Sequence, residues 1–226
     1  MLSISATDEW RTAHPGAAIG LLEISGVEKT QTSTRLDDRK LETEARLRAR
    51  FKGFTRQELL SLPVMSAYVR YFKRFGKTYH VQLQVESIVS KGKSLPNVTP
   101  LVDANFVAEV ETLVLTAGHD AAKLQGAVSI DVSRDGDQMT QMNGALKPLA
   151  AADMIMRDAN GVCCSILYGQ DDRSPISSAT SHVLYVAYAP AGVPAEVVDG
   201  QLRQIEENVR LFSPKVSIEQ HRLLSA

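Results

Sequence analysis

Cysteine is nearly missing from this sequence: two in 226 residues, and those two are neighbours, Cys163 and Cys164. Adjacent residues of a strand face opposite ways, so the pair forms no useful staple and chelates no ion together. One sulfur is expected in the core and one outside it. With no basic, apolar leader in the opening "MLSISATDEWRT", the expected compartment is a reducing cytoplasm. Also missing is any run near ~18 uninterrupted apolar residues, so no membrane helix and no membrane partner are expected. An excess of one charge is missing too. The 25 Lys and Arg against 26 Asp and Glu leave a formal net charge of −1, which argues against coating DNA or RNA through global charge and leaves room for a local basic patch.

Several reaction classes lack their motifs. His14, His80, His119, His182 and His221 are scattered, with no zinc- or iron-like spacing among His, Cys and Asp. No Gly-x-Gly-x-x-Gly or Gly-Lys-Ser/Thr loop occurs, and no Gly-x-Ser-x-Gly elbow. No metal and no cofactor are therefore expected, and a nucleotide-dependent enzyme or serine hydrolase is disfavoured.

What is present fits a globular chain: 44% hydrophobic and 23% charged residues, long enough for a substantial core without disulfides. No composition shift marks a boundary, so one domain over 1–226 is expected. "AAIGLLEISGV" after the turn signal "HPG" has the pattern of a buried strand, and 35–52, rich in helix formers of both charge signs, that of a solvated helix. In "LPVMSAYVRYFKRFGKTYH", Val64, Tyr68, Tyr71, Phe72 and Phe75 recur at helical spacing. Arg70, Lys73, Arg74 and Lys77 form a basic stripe beside them. Such a stripe meets RNA phosphates while the rings stack on bases, or else the rings face a core and the cations only solvate the outside. Lys91 and Lys93 extend the same patch. "VQLQVESIVSKGK" fits a helix ended by Gly92.

Residues 99–116 give the clearest helix, with Val102, Phe106, Val110, Leu113 and Ala117 on an apolar face and Asn105, Glu109, Thr112 and Thr116 on a polar one. The polar face is either solvated or turned into a cleft, where Glu109 would bind an amino or hydroxyl group. Gly118 is expected to stop this helix and deliver His119 and Asp120. That pair is either a base and its orienting acid or an ordinary turn, with His119 capping the helix end. Beyond residue 126 the pattern alternates. "GAVSIDVSRDGD" and "SHVLYVAYAP" fit strands, the Asn-Gly pairs in "MNGAL" and "RDANGVCC" suit hairpins, and Val198, Leu202, Ile205, Val209 and Phe212 mark a C-terminal helix. In "LYGQDDRS", 167–174, Tyr168 and Gly169 open a loop whose backbone can approach a ligand, and Arg173 suits a carboxylate or phosphate; a plain surface turn is the alternative. Helices gathered early and strands late predict an α+β fold, helices packed on an antiparallel or mixed sheet.

The stretch 70–126, with "LP", "PLVDANFVAE" and "KLQG", followed by 154–190 with its strand–turn–strand and glycine loop, resembles a known family. It is similar to free-standing relatives of the editing domain of the phenylalanyl-tRNA synthetase beta subunit, the B-three/B-four domain, over about residues 15–215. The resemblance implies a pocket between sheet and helices that takes the aminoacylated end of tRNA and hydrolyses a wrongly attached amino acid. A free-standing form would act on released tRNA and would not aminoacylate it; a non-catalytic RNA- or amino-acid-binding module is the alternative. The sequence departs from the synthetase pattern at Ala117, which stands where the synthetase has a pocket histidine. It departs again at His119, in place of an aromatic ring, and at Phe106, with Asn105 one residue off the synthetase's asparagine.

Overall fold

A computed structural model describes residues 1–30 and 32–226. At its centre lies a four-stranded antiparallel sheet in which β2 (Ala18–Ser25) and β10 (His182–Ala189) are flanked by β11 (Ser217–Ser225) and β3 (Thr116–Asp120), in the order β11-β2-β10-β3. All of β2 except Ser25 is buried, as its near-continuous apolar run requires of a strand covered on both faces. Gly20 admits the C-terminal helix α7 (Ala195–Arg210), because a Cβ there would stand 2.8 Å from Val198 Cγ1.

A second sheet has the order β1 (Ile4–Ala6), β4 (Val128–Val132), β7 (Met154–Asp158), β8 (Gly161–Ser165), β9 (Gly169–Gln170). Its β1–β4 pair is parallel and the rest are antiparallel, so the sheet is mixed. The hairpin β5 (Gln138–Thr140) and β6 (Leu146–Pro148) turns through Asn143-Gly144, with Gly144 at φ +79°. The fold is α+β, as expected. Strands are not confined to the second half of the chain, because β1 pairs with β4, and β2 with β10 and β11.

Helix α1 (Asp8–Ala13) covers β4, and α2 (Thr34–Arg50) packs on α5 (His80–Lys91) and α6 (Pro100–Thr112). Short α3 (Arg56–Ser61) leads into α4 (Pro63–Lys73). Gly92 ends α5 in the left-handed conformation at φ 63°, as its sequence position predicts. Helix α6 is buried nearly all round, starting at an N-cap Thr99 with Pro100 in its first turn. A buried ion pair, Lys40 Nζ to Asp103 Oδ2 at 2.8 Å, ties its start to α2.

The end of α6 corrects the sequence expectation. The helix stops at Leu113, which takes the left-handed conformation at φ 66° and donates its N–H to the Glu109 carbonyl. Its own carbonyl accepts the Tyr79 hydroxyl at 2.9 Å. Leu113 is buried, so packing offsets the ~1 kcal/mol backbone penalty of a non-glycine residue there. Thr116 to Asp120 then run as β3, and Gly118 sits inside a strand without a positive φ.

The cysteines also depart from expectation, since both are buried. The β7–β8 register shifts between Met156 and Arg157, which pair with Cys164 and Val162. Cys163 is the extra residue, and simple alternation fails at such a bulge. Among the described residues no helix is long and apolar enough to cross a membrane.

Candidate functional site

A cavity of about 450 Å³ opens between the helices and both sheets. From α5 come His80 and Gln84, and from α6 Val102, Asn105, Phe106 and Glu109. The β3 segment supplies Thr116, Ala117 and Gly118, the strand β10 supplies Tyr185 and Tyr188, and the β8–β9 region supplies Cys164, Gly169 and Gln170 among others. Met142, exposed in the β5–β6 turn, completes the rim. Val102 and Phe106 are only half-buried in the mostly buried body of the helix because they face this space. A large, mainly apolar cavity with a few convergent polar groups is the usual form of a small-ligand site.

Those polar groups gather where α6 meets β3. Asn105 Nδ2 donates to the Thr116 carbonyl at 2.9 Å, and the Thr116 N–H donates to Glu109 Oε1 at 3.0 Å. Glu109 is 2% exposed, and burial pushes its pKa up to about 8. At neutral pH it is therefore mainly a neutral acid, able to donate a hydrogen bond. Thr112 and Thr116 belong to a separate tie: the Thr112 hydroxyl donates to Gln201 Oε1 at 2.6 Å, and Gln201 Nε2 to Thr116 Oγ1 at 3.0 Å. The polar face of α6 is thus turned inward, not solvated. Three buried polar atoms of lining residues have no hydrogen-bond partner: Asn105 Oδ1, Gln84 Oε1 and the Tyr188 hydroxyl. Such atoms cost free energy while unpaired, which favours a ligand that satisfies them.

His119 and Asp120 do not reach the cavity. His119 is fully buried in β3, pairs with Leu184 across the ladder and is not a helix-end turn histidine. Its Nδ1 lies 2.7 Å from Ser174 Oγ, whose hydroxyl donates to Asp171 Oδ1 at 2.6 Å. Gln170 Nε2 lies 3.3 Å from the same ring nitrogen. Serine stands between histidine and acid, and burial pushes the histidine pKa down to about 3. Asp120 accepts the Thr180 hydroxyl at 2.9 Å and the Ala122 N–H at 3.2 Å, which fixes a short turn after β3. His119 and Asp120 thus meet separate partners, and neither lines the cavity.

The loop candidates divide. Gly169, with φ 84°, lines the cavity. Arg173 does not: its Nε lies 2.7 Å from Asp171 Oδ2 and its NH1 3.1 Å from Asp158 Oδ1, so its charge is already taken. Tyr168 is half-buried at the rim, its ring centroid 4.7 Å from Lys77 Nζ and 4.9 Å from Lys147 Nζ.

Arg70, Lys73, Arg74 and Lys77 are all exposed. The rings between them are not free to stack on bases. Tyr68, Tyr71 and Phe72 are buried, and Arg74 lies over Tyr71 and Phe75 at 5.5 and 5.4 Å. Tyr68 is a structural strut, donating to the Tyr188 carbonyl and accepting the Leu115 N–H. Tyr71 donates to Asp153 at 2.7 Å.

His80 and Gln84 were not singled out in the sequence, although their four-residue spacing puts them on one face of α5. His80 is the only histidine among the lining residues. It is exposed at the rim, yet its ring packs edge-on against Phe72 and Tyr79, and this desolvation lowers its pKa. No cluster of three or more His, Cys, Asp or Glu is placed to hold a metal ion among the described residues.

A family model described as the B3/4 domain matches residues 66–206, more than half of the chain. That span holds all four basic residues and every lining residue of the cavity. No curated protein matches the chain. Among solved structures, it is similar to an N-terminal fragment of the phenylalanyl-tRNA synthetase beta subunit from Pyrococcus horikoshii, with 8% identity and a TM-score of 0.49. The alignment covers 100% of this chain, which spans 55% of the length of that fragment.

Proposed function

From the premise that the chain belongs to the B3/4 domain family, we propose that it binds the aminoacylated end of tRNA and hydrolyses the ester of a wrongly attached amino acid. The observation that carries this reading is the cavity, whose apolar walls close on one polar corner made by Asn105, Glu109 and Thr116. Its volume, about 450 Å³, suits an amino-acid side chain with part of its nucleoside. Asn105 Oδ1 and Gln84 Oε1, both acceptors, stand ready for the amino group and the ribose hydroxyls, and the Tyr188 hydroxyl can donate to the ester.

Ester hydrolysis needs a water, a proton acceptor and donors for the oxyanion. In this reading His80 accepts the proton, because it is neutral at pH 7 and stands at the rim where the ester would lie. Glu109, in its protonated form, donates to a substrate oxygen. Its second oxygen is free of the Thr116 contact, so the donation leaves the α6–β3 junction intact.

Incubation with a panel of mischarged tRNAs, with a gel shift in parallel, tests the proposal. Release of the amino acid from at least one pair is the expected result. Binding without hydrolysis of any pair would sink the enzymatic reading and leave a tRNA-binding module. The exclusion of His119 from the cavity is the observation that favours that second reading.

A further inference from the structure

Three chain segments reach the rim of the cavity, and each brings both a lining residue and a residue of a second cluster. Residues 77–80 bring His80 and Lys77; the β5–β6 hairpin brings Met142 and Lys147; residues 168–170 bring Gly169 and Tyr168. The hairpin is tied to this place, since Gln141 Nε2 donates to the Tyr168 carbonyl at 3.1 Å and Gln141 bridges to Asp171. Lys77 and Lys147 are 70 positions apart in sequence. Their ammonium groups nevertheless converge on one ring and lie less than about 10 Å apart, the sum of the two ring distances.

Neither lysine meets a carboxylate within 4.0 Å among the described residues. The Tyr168 ring supplies only a modest attraction to each, about 0.5–1 kcal/mol at an exposed site. Two like charges gathered without a counter-charge form a ready seat for an anion. The same rim borders an apolar cavity with a polar corner. A ligand that fills both has an apolar acyl part joined, over a short span, to a phosphate.

We propose that Lys77, Lys147 and Tyr168 form a clamp for the RNA phosphodiesters next to the acylated nucleotide, a subsite that rests on the function proposed above. The lysines meet the phosphate oxygens, while Tyr168 sets their spacing and offers an edge to the adjacent base. Lys147 is the member that the basic stripe of α4 does not contain. Arg70, Lys73 and Arg74 continue the positive surface outward from it.

The test uses the full chain and two non-hydrolysable probes. One is an RNA hairpin with a single-stranded CCA tail carrying an amide-linked amino acid. The other is the same aminoacyl amide on adenosine alone, which has no phosphodiester. Lys77→Gln and Lys147→Gln are each expected to weaken hairpin binding about five- to tenfold near 0.1 M salt. Each should flatten the salt slope by about 0.7, the value for one phosphate contact on a single strand. Affinity for the aminoacyl-adenosine should stay as in the wild type. The clamp is overturned if the folded double variant keeps wild-type hairpin affinity and slope while the wild-type chain binds and deacylates tRNA, which leaves the proposed function standing. Equal losses for both probes would also overturn it, by showing a distorted cavity. A wild-type chain that binds neither probe removes the clamp together with the reading beneath it.

Discussion

Glu109 accepts the backbone N–H of Thr116 across the reversal that ends α6, at 3.0 Å. This bond fixes the angle between the helix and β3 and so shapes the polar corner of the cavity. Its acceptor is buried and has a pKa raised from 4.5 to about 8, which makes the corner sensitive to pH in a defined direction.

An acid whose folded pKa is raised binds its proton more tightly in the native state. The stability it contributes is fully present below pH 4.5 and is lost as pH rises through about 8. Glu109→Gln keeps an acceptor for Thr116 and removes the titration. Urea unfolding between pH 5 and 9 should show the wild type losing roughly 2–5 kcal/mol that the variant retains, given about 1.4 kcal/mol per pKa unit. Parallel stability curves for the two proteins would refute the buried-acid assignment.

His119 has the opposite linkage. Its pKa falls from 6.5 to about 3 on folding, so its contribution is present above pH 6.5 and lost as pH falls towards 3. His119→Ala removes a fully buried ring and leaves the Ser174 hydroxyl without that partner. The expected cost is about 2–4 kcal/mol of stability. At a temperature where the variant is folded, ligand affinity and any deacylation should remain. An intact fold with activity abolished would return His119 to the chemistry.

Much of the fold was legible because it rests on local patterns. The apolar run of β2, the helical spacing in α7, and the Asn-Gly turns at 143–144 and 160–161 each encode their element within a short window. The end of α6 was not legible. Its local signal is Gly118, whereas the chain turns at Leu113, held there by the tertiary bond from Tyr79 to its carbonyl. The weakly patterned edge strand β11 gave no sequence signal either. Asn105, Glu109 and Gly169, singled out by spacing and glycine chemistry, all line the cavity. Arg173 was misplaced because its partners, Asp158 and Asp171, come from other strands and turns. The rim depends on three segments that meet only in the folded chain, so Lys147 carries no local mark and the spacing of His80 and Gln84 does not show that they reach it.

Gly118 is needed for close packing, not for a turn. A Cβ there would lie 2.6 Å from Ile176 Cδ1 and 3.1 Å from Tyr185 Cε1. Gly118→Ala is expected to cost about 1–3 kcal/mol, the range for overpacking, moderated because the end of Ile176 can move. It should also weaken binding of ligands with large side chains more than small ones, since all three residues line the cavity. Thermal melts with a size series of aminoacyl-adenosine amides measure both effects. Uniform affinity changes across the series would place the strain outside the binding space.

His80 carries the remaining weight of the enzymatic reading, and kinetics can isolate it. A general base in this position contributes about 10²–10⁴-fold, so His80→Gln should lower kcat for deacylation by that order. Since Gln keeps a polar group at the rim, KM should change little. The base must be neutral to act, and its pKa is lowered from 6.5 by packing against Phe72 and Tyr79. The wild-type rate should therefore lose its activity only as pH falls below 6.5, and the residual rate of His80→Gln should lack that acid limb. Phe72→Leu loosens one side of the ring's packing and should move the limb towards 6.5, a shift that a merely structural His80 would not produce. A His80→Gln enzyme with unchanged kcat and an unchanged acid limb would show that the water gives up its proton to some other group.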